Sequence, residues 1–218
     1  MALPIHALKL LAPYLRNAKV LCLGYPDILC TSAWVKKTFD VEITQFTQNG
    51  HRHNVDYELP ESEHFFEILG SELTCIDFAS DMGFERIANL NFHHEFGDFD
   101  LVIVPGTLEH CFNIGTAWQN AFDSVKVGGV IFHLSPMTMV NHGFFNFNPT
   151  LFHDFYKQNN WEILDLGVIP NNQPRVEAVK RFTAHIEFLI RCLAQRKSQG
   201  QMVFPLQTKY LEALQEAA

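Results

Sequence analysis

The chain has 218 residues, 47% of them hydrophobic, which is enough for one α/β domain with a substantial core. Its formal charge of −8, with 16 Lys and Arg against 24 Asp and Glu, argues against a broad nucleic-acid footprint, which needs a basic face. Five scattered cysteines without a CxxC pair exclude a disulfide framework and fit reduced, buried thiols in a cytoplasmic protein.

Residues 2–15 space leucines in a near-helical pattern, and Pro13 breaks the expected helix. No basic stretch precedes an apolar block here, so no signal peptide is expected, and no run approaches the ~18 apolar residues of a membrane span. Lys19 to Gly24 is a short apolar strand closing on glycine, and Ser32 to Phe39 is the helix expected after it. The polar segment 41–60, with the turn signal Asn49-Gly50, is either an inserted loop or a hairpin. His64 to Gly70 predicts a helix stopped by a C-terminal glycine. Leu73 to Asp77 is a strand closing on an acid, and Glu85 to Ala88 a short strand leading into Asn89.

The most informative segment is Asp98 to His110. An acidic turn feeds the run Leu101-Val102-Ile103-Val104, which reads as a parallel strand buried on both faces. Ligands in open α/β sheets bind past the carboxyl ends of such strands, which is where Gly106, Glu109 and His110 fall. A helix is expected over 114–125, a turn at Val125 to Gly129, a strand over Gly129 to Leu134 and a helix over 149–159. Trp161 to Leu166 reads as extended, 170–174 as a Pro/Asn-rich loop, 186–194 as a final strand and 208–217 as a terminal helix. Alternating strand and helix signals favour a single domain over 1–218 with a mostly parallel sheet and helices on both faces.

Taken together, Val20-Leu21-Cys22-Leu23-Gly24, Ile76-Asp77, Phe99 to His110 and Lys126-Val127-Gly128-Gly129 resemble the class I S-adenosylmethionine-dependent methyltransferases. The resemblance spans roughly residues 19–197. More narrowly, Asn141 to Tyr156 is similar to a segment that follows the fifth strand in a bacterial subgroup of that family. The family implies an α/β Rossmann-like sandwich with a seven-stranded sheet, S-adenosylmethionine as cofactor and a small-molecule acceptor. It implies cofactor contacts at Gly24, Tyr25, Asp77, Asn89, Gly106 and Glu109, with Asp77 on the ribose hydroxyls. The departure is the first turn, Leu23-Gly24-Tyr25-Pro26-Asp27, where the family carries a glycine-rich motif. Proline fixes φ and removes a donor, so a catalytically silent binding protein built on the same fold stands as the alternative.

His110 and His142 are the candidate proton acceptors, since imidazole titrates near neutrality. Asn141, Phe144, Phe145 and Asn146 read either as walls of a pocket for a small hydroxylated acceptor, a sugar for example, or as a packed loop capped by its amides. His51-x-His53 and His93-His94 lack a Cys or carboxylate partner at a familiar ligand spacing, so no metal is expected there. Twenty phenylalanines exceed what a core of this size commonly holds, and the excess fits a pocket wall or a homo-oligomer contact.

Overall fold

The computed structural model describes residues 2–80, 82–171 and 187–208. The chain begins with β1 (Ala2–Pro4), α1 (Ile5–Leu11) and a 3-10 turn over Ala12–Tyr14 that contains Pro13. Then come β2 (Lys19–Leu23), β3 (Asp27–Leu29) and α2 (Ser32–Phe39), the last capped by Thr31, whose side chain accepts from the Trp34 amide. Segment 41–60 combines both expectations. The two-residue strands β4 (Phe46–Thr47) and β5 (Leu59–Pro60) pair antiparallel around a 3-10 turn over Asn49–His53.

Next are α3 (Ser62–Ile68), β6 (Glu72–Asp77), β7 (Arg86–Ile87) and β8 (Phe99–Pro105). Gly70 sits at φ 76° just past α3, the left-handed position that favours glycine after a helix. The remaining elements are α4 (Ile114–Asp123), β9 (Val125–Pro136), α5 (Pro149–Gln158), β10 (Trp161–Asn171) and β11 (Glu187–Arg196). Asn148 caps α5 by accepting from the Thr150 amide, and Pro149 occupies the first helical position, where no donor is needed.

Seven of these strands form one sheet in the order β10-β11-β9-β8-β2-β6-β7. All neighbours are parallel except those of β11, which runs antiparallel to both β9 and β10. This is the expected Rossmann-like sandwich with a mostly parallel sheet. Strand alternation sends Leu21, Leu23, Val102, Val104 and Ile131 to one face, under α4 and α5. Val20, Cys22, Leu101, Ile103 and Phe132 go to the other, under α1, α2 and α3. Helices thus cover both faces, which is why β8 carries a continuous apolar run.

Two boundaries differ from expectation. The Gly128-Gly129 pair is not a turn before the strand but an irregularity within β9. Phe99 pairs with Val125 and Leu101 with Val130, and the intervening residues bulge through Gly128 at φ 84°. Likewise Pro170 and Asn171 do not begin a loop; they extend β10, opposite Phe188 and Glu187. Pairing with β11 carries the strand past the point where local composition signals a break. The rest of the expected loop, and the helix expected after Thr208, lie outside the described residues. No described helix is long and apolar enough to cross a membrane.

Candidate functional site

The site forms where the carboxyl ends of β2, β6, β7, β8 and β9 converge. At the end of β2, Gly24 adopts φ 97°, and its amide donates to the Ile76 carbonyl at 2.6 Å. The Thr107 hydroxyl donates to the Leu23 carbonyl, joining the ends of β2 and β8. The Tyr25 amide donates to Asp77 Oδ2 at 3.0 Å. Its ring turns into the protein, 7% exposed, edge-on to Phe84 with its hydroxyl 3.4 Å from Glu61 Oε1. Burial pushes the phenol pKa well above its ordinary value. Asp27 then accepts from Asn49 Nδ2 and lies against His53 Nε2, both at 2.8 Å, which ties segment 49–53 to this edge of the sheet.

Asp77 Oδ1 also accepts from the Phe78 amide at 2.6 Å. Each carboxylate oxygen has two acceptor directions, so one on each remains after these two bonds. Asp77 lines a cavity of 380 Å³ together with Phe78, residues 88–91, Thr107, His110 and Cys111. The 88–91 wall is held from behind. Asn120 of α4, fully buried, donates to the carbonyls of Leu90 (3.2 Å) and Phe92 (2.8 Å) and accepts from the His94 amide at 2.9 Å. Asn91 Oδ1 accepts from the Asn113 amide at the start of α4.

A second cavity, of 620 Å³, opens on the other side of His110, which lines both. Its walls include His6, His53, Gly106, Glu109, Met139 and His142. Glu109 is fully buried, and neither carboxylate oxygen takes a hydrogen bond from any described residue; His142 Nε2 stands 3.6 Å from Oε1. The loop after β9 is stitched onto Glu109 by its backbone. The Phe144 amide donates to the Glu109 carbonyl at 2.8 Å, and a Cβ on Gly143 would meet that same oxygen at 2.8 Å. The rings of His110 and His142 stand 5.2 Å apart between centroids. Burial, and secondarily the Arg191 charge, lower the pKa of His6, whose Nε2 is buried without a hydrogen bond from a described residue.

A cavity of 640 Å³ between α5 and residues 205–208 lies away from the strand ends, and its acid, Asp154, already accepts from the Thr208 amide and hydroxyl. The Glu109 carboxylate, which takes no hydrogen bond from a described residue, and the remaining acceptor directions of Asp77 both face cavities at the strand ends, and the candidate site lies there.

Asp77 and Asn89 line the first cavity, Gly106, Glu109 and His142 the second, and His110 both. Gly24 and Tyr25 line neither; they shape the turn behind Asp77. Of the four loop residues, Asn146 accepts from the Met139 amide at 2.9 Å, and Phe145 packs on the core. Phe144 is exposed and meets Phe112 edge-on, while Asn141 takes φ 61° at the turn. None of these four lines either cavity. No local pattern marks His6, and His53 is legible in sequence only as a member of a His-x-His pair; the fold brings it in through Asp27. His51 and His93 are exposed, and His94 lies 2.9 Å from the Asn89 carbonyl.

No family model matches the sequence, and no curated protein matches it. Solved structures do. TehB from Haemophilus influenzae aligns over 88% of this chain at 14% identity with a TM-score of 0.50, and the chain spans 61% of that protein's length. A Listeria monocytogenes protein provisionally described as an S-adenosylmethionine-dependent methyltransferase aligns over 88% of this chain and 96% of its own, at 13% identity and a TM-score of 0.47. An S-adenosylmethionine-dependent methyltransferase from Mesorhizobium loti aligns over 67% of this chain and 54% of its own, at 14% identity and a TM-score of 0.33. The TehB likeness is one of fold, and it agrees with the sheet described above.

Proposed function

We propose that the chain is an S-adenosylmethionine-dependent methyltransferase acting on a small hydroxylated acceptor. The observation that carries this reading is a pair of adjoining cavities at the carboxyl edge of a Rossmann-like sheet, with His110 between them. The 380 Å³ cavity suits a nucleoside, and Asp77 keeps the acceptor directions that a ribose diol needs. The 620 Å³ cavity gives the acceptor its own chamber.

Held by Asp77 and the 88–91 wall, the cofactor would supply an electrophilic methyl carbon on sulfur for in-line transfer to the acceptor oxygen. In this reading the chain's residues align the two and exclude water, which together supply many kcal/mol of barrier reduction. His110 or His142 takes the proton that the acceptor hydroxyl loses. Five buried free cysteines support a reducing, cytoplasmic setting for this enzyme.

Isothermal titration of the full chain with S-adenosylmethionine and S-adenosylhomocysteine tests the reading. Micromolar binding of both is expected. A folded protein giving no heat with either ligand at millimolar concentration overturns it in favour of a silent binding protein.

A further inference from the structure

Glu109, His110 and His142 each offer a ligand atom, and those atoms all lie within 4.8 Å of one another. We propose that these three side chains form a binding site for a divalent transition-metal cation of the zinc class, open to the 620 Å³ cavity.

Four observations point the same way. First, Glu109 is fully buried, and its two carboxylate oxygens take no hydrogen bond from any described residue. A carboxylate withdrawn from water without donors is costly, and a cation against it removes the cost. Second, two imidazoles stand close to it, with His142 Nε2 at 3.6 Å from Oε1 and a ring nitrogen of His110 within 4.8 Å. Two histidines and one carboxylate are a zinc-type donor set that leaves a position open for a further ligand. Third, ligand atoms in a tetrahedron with bonds of ~2.1 Å lie roughly 3.4 Å apart. The observed cluster needs only small movements of two exposed rings to reach that spacing. Fourth, the site is assembled by backbone. The Phe144 amide bonds the Glu109 carbonyl at 2.8 Å, and Gly143 leaves no room for a side chain between the two segments.

The cation site stands on this geometry alone; its role on the acceptor rests on the methyl-transfer reading. There the acceptor hydroxyl takes the open position and loses its proton to water, because a bound cation lowers its pKa. The acceptor oxygen then forms its bond to the methyl carbon as the carbon–sulfur bond breaks, and the sulfonium becomes a neutral thioether. With the cation bound, His110 and His142 serve as its ligands, and the base role they would have without it passes to water.

The test uses the full chain stripped with a chelator and titrated with Zn2+ alone, followed by calorimetry, with Co2+ visible absorption as a second readout. One equivalent of Zn2+ is expected to bind, with tetrahedral Co2+ bands. Glu109→Gln and His110→Ala are each expected to weaken binding by ~100-fold or more, since even an outer partner of a metal ligand is worth 10–100-fold. His93→Ala, on the exposed surface, is expected to leave it unchanged. Equal loss in His93→Ala, or full Zn2+ binding in His110→Ala, overturns the proposal as surface histidine binding. Should Glu109→Gln fail to fold, the exposed His110→Ala decides. Titration with S-adenosylmethionine in chelator separates the two readings: cofactor binding without Zn2+ binding sinks only the cation site, and the reverse sinks only methyl transfer.

Discussion

His133 provides a sharp test of the described packing. It lies on β9, fully buried, its ring stacked 4.8 Å from Trp118 at 17° and edge-on to Phe152. Its Nε2 is 2.5 Å from the Tyr156 hydroxyl. Burial pulls its pKa from 6.5 down to about 3. In the unfolded chain the imidazole takes up a proton as pH falls through about 6.5, while the folded one stays neutral down to about 3. Between those values the unfolded state binds the extra proton, so stability falls as pH falls; above about 6.5 this group costs nothing. At pH 4 the penalty is about 3 kcal/mol, at 1.36 kcal/mol per pKa unit. His133→Phe keeps the ring stack and removes the titration. It also leaves the Tyr156 hydroxyl unpaired, a constant cost of about 1–3 kcal/mol, which His133→Phe combined with Tyr156→Phe relieves. Urea unfolding followed by Trp118 and Trp161 fluorescence, repeated from pH 7 to pH 4, measures the effect. The gap between parent and variant should shift by about 3 kcal/mol in the variant's favour across that range. Parallel curves would refute the assignment of a neutral, dry His133.

Asp77→Ala is expected to weaken S-adenosylmethionine binding by about 1–3 kcal/mol, as loss of a hydrogen bond to a charged group does; an unchanged calorimetric affinity removes Asp77 from the cofactor site. Asn120→Ala deletes three bonds to residues 90–94 and should cost about 3 kcal/mol in urea unfolding. Amide exchange in 88–94 should accelerate with it, and unaltered exchange contradicts the clamp. Gly143→Ala drives a methyl group into the Glu109 carbonyl, and the neighbouring His142 is expected to shift with it. It should lower methyl transfer by ~10–100-fold, in line with the cost of a 1 Å misplacement. Cofactor affinity should hold, and a loss of affinity with intact turnover contradicts the division into two chambers.

The sheet was legible because its central strands are buried on both faces, so β2 and β8 announce themselves as unbroken apolar runs. Helices α2 and α4 were legible from their place after apolar strands in the strand–helix alternation. Glu109, His110 and Asp77 were legible because strand ends are where an open α/β sheet keeps its ligands. Other features depend on contacts far apart in the chain, and no local pattern marks them. Three-residue strands such as β1, which pairs with β3, carry no periodicity. Asn120 reads as an ordinary helix residue until its carbonyl partners thirty positions away are known. The polar-aromatic loop 141–146 shows how one composition serves two ends. Its local pattern fitted a pocket wall, yet Asn146 supports a turn and Phe145 packs on the core, and only His142 next to them lines the chamber.

The glycine-poor first turn acquires a physical rationale from the same contacts. A single glycine suffices because only Gly24 needs a positive φ. Pro26 lacks an amide, but its carbonyl accepts from the Ser62 hydroxyl at 2.8 Å, and the Tyr25 side chain leaves toward Glu61 instead of filling the cavity. The Tyr25 amide, which an open turn would present to a ligand, is bonded to Asp77. The turn therefore contributes to the first cavity indirectly, by fixing the Asp77 carboxylate in place. Under the proposed methyl transfer, contact with a nucleoside would fall to that carboxylate and to the walls after β7 and β8, which Asn120 and Thr107 hold to the sheet. Affinity in such a site should respond more to loosening of the 88–91 wall than to restoring glycines in the turn. A Pro26→Gly variant with unchanged cofactor binding, set beside an Asn120→Ala variant with weakened binding, is the pattern this reasoning requires.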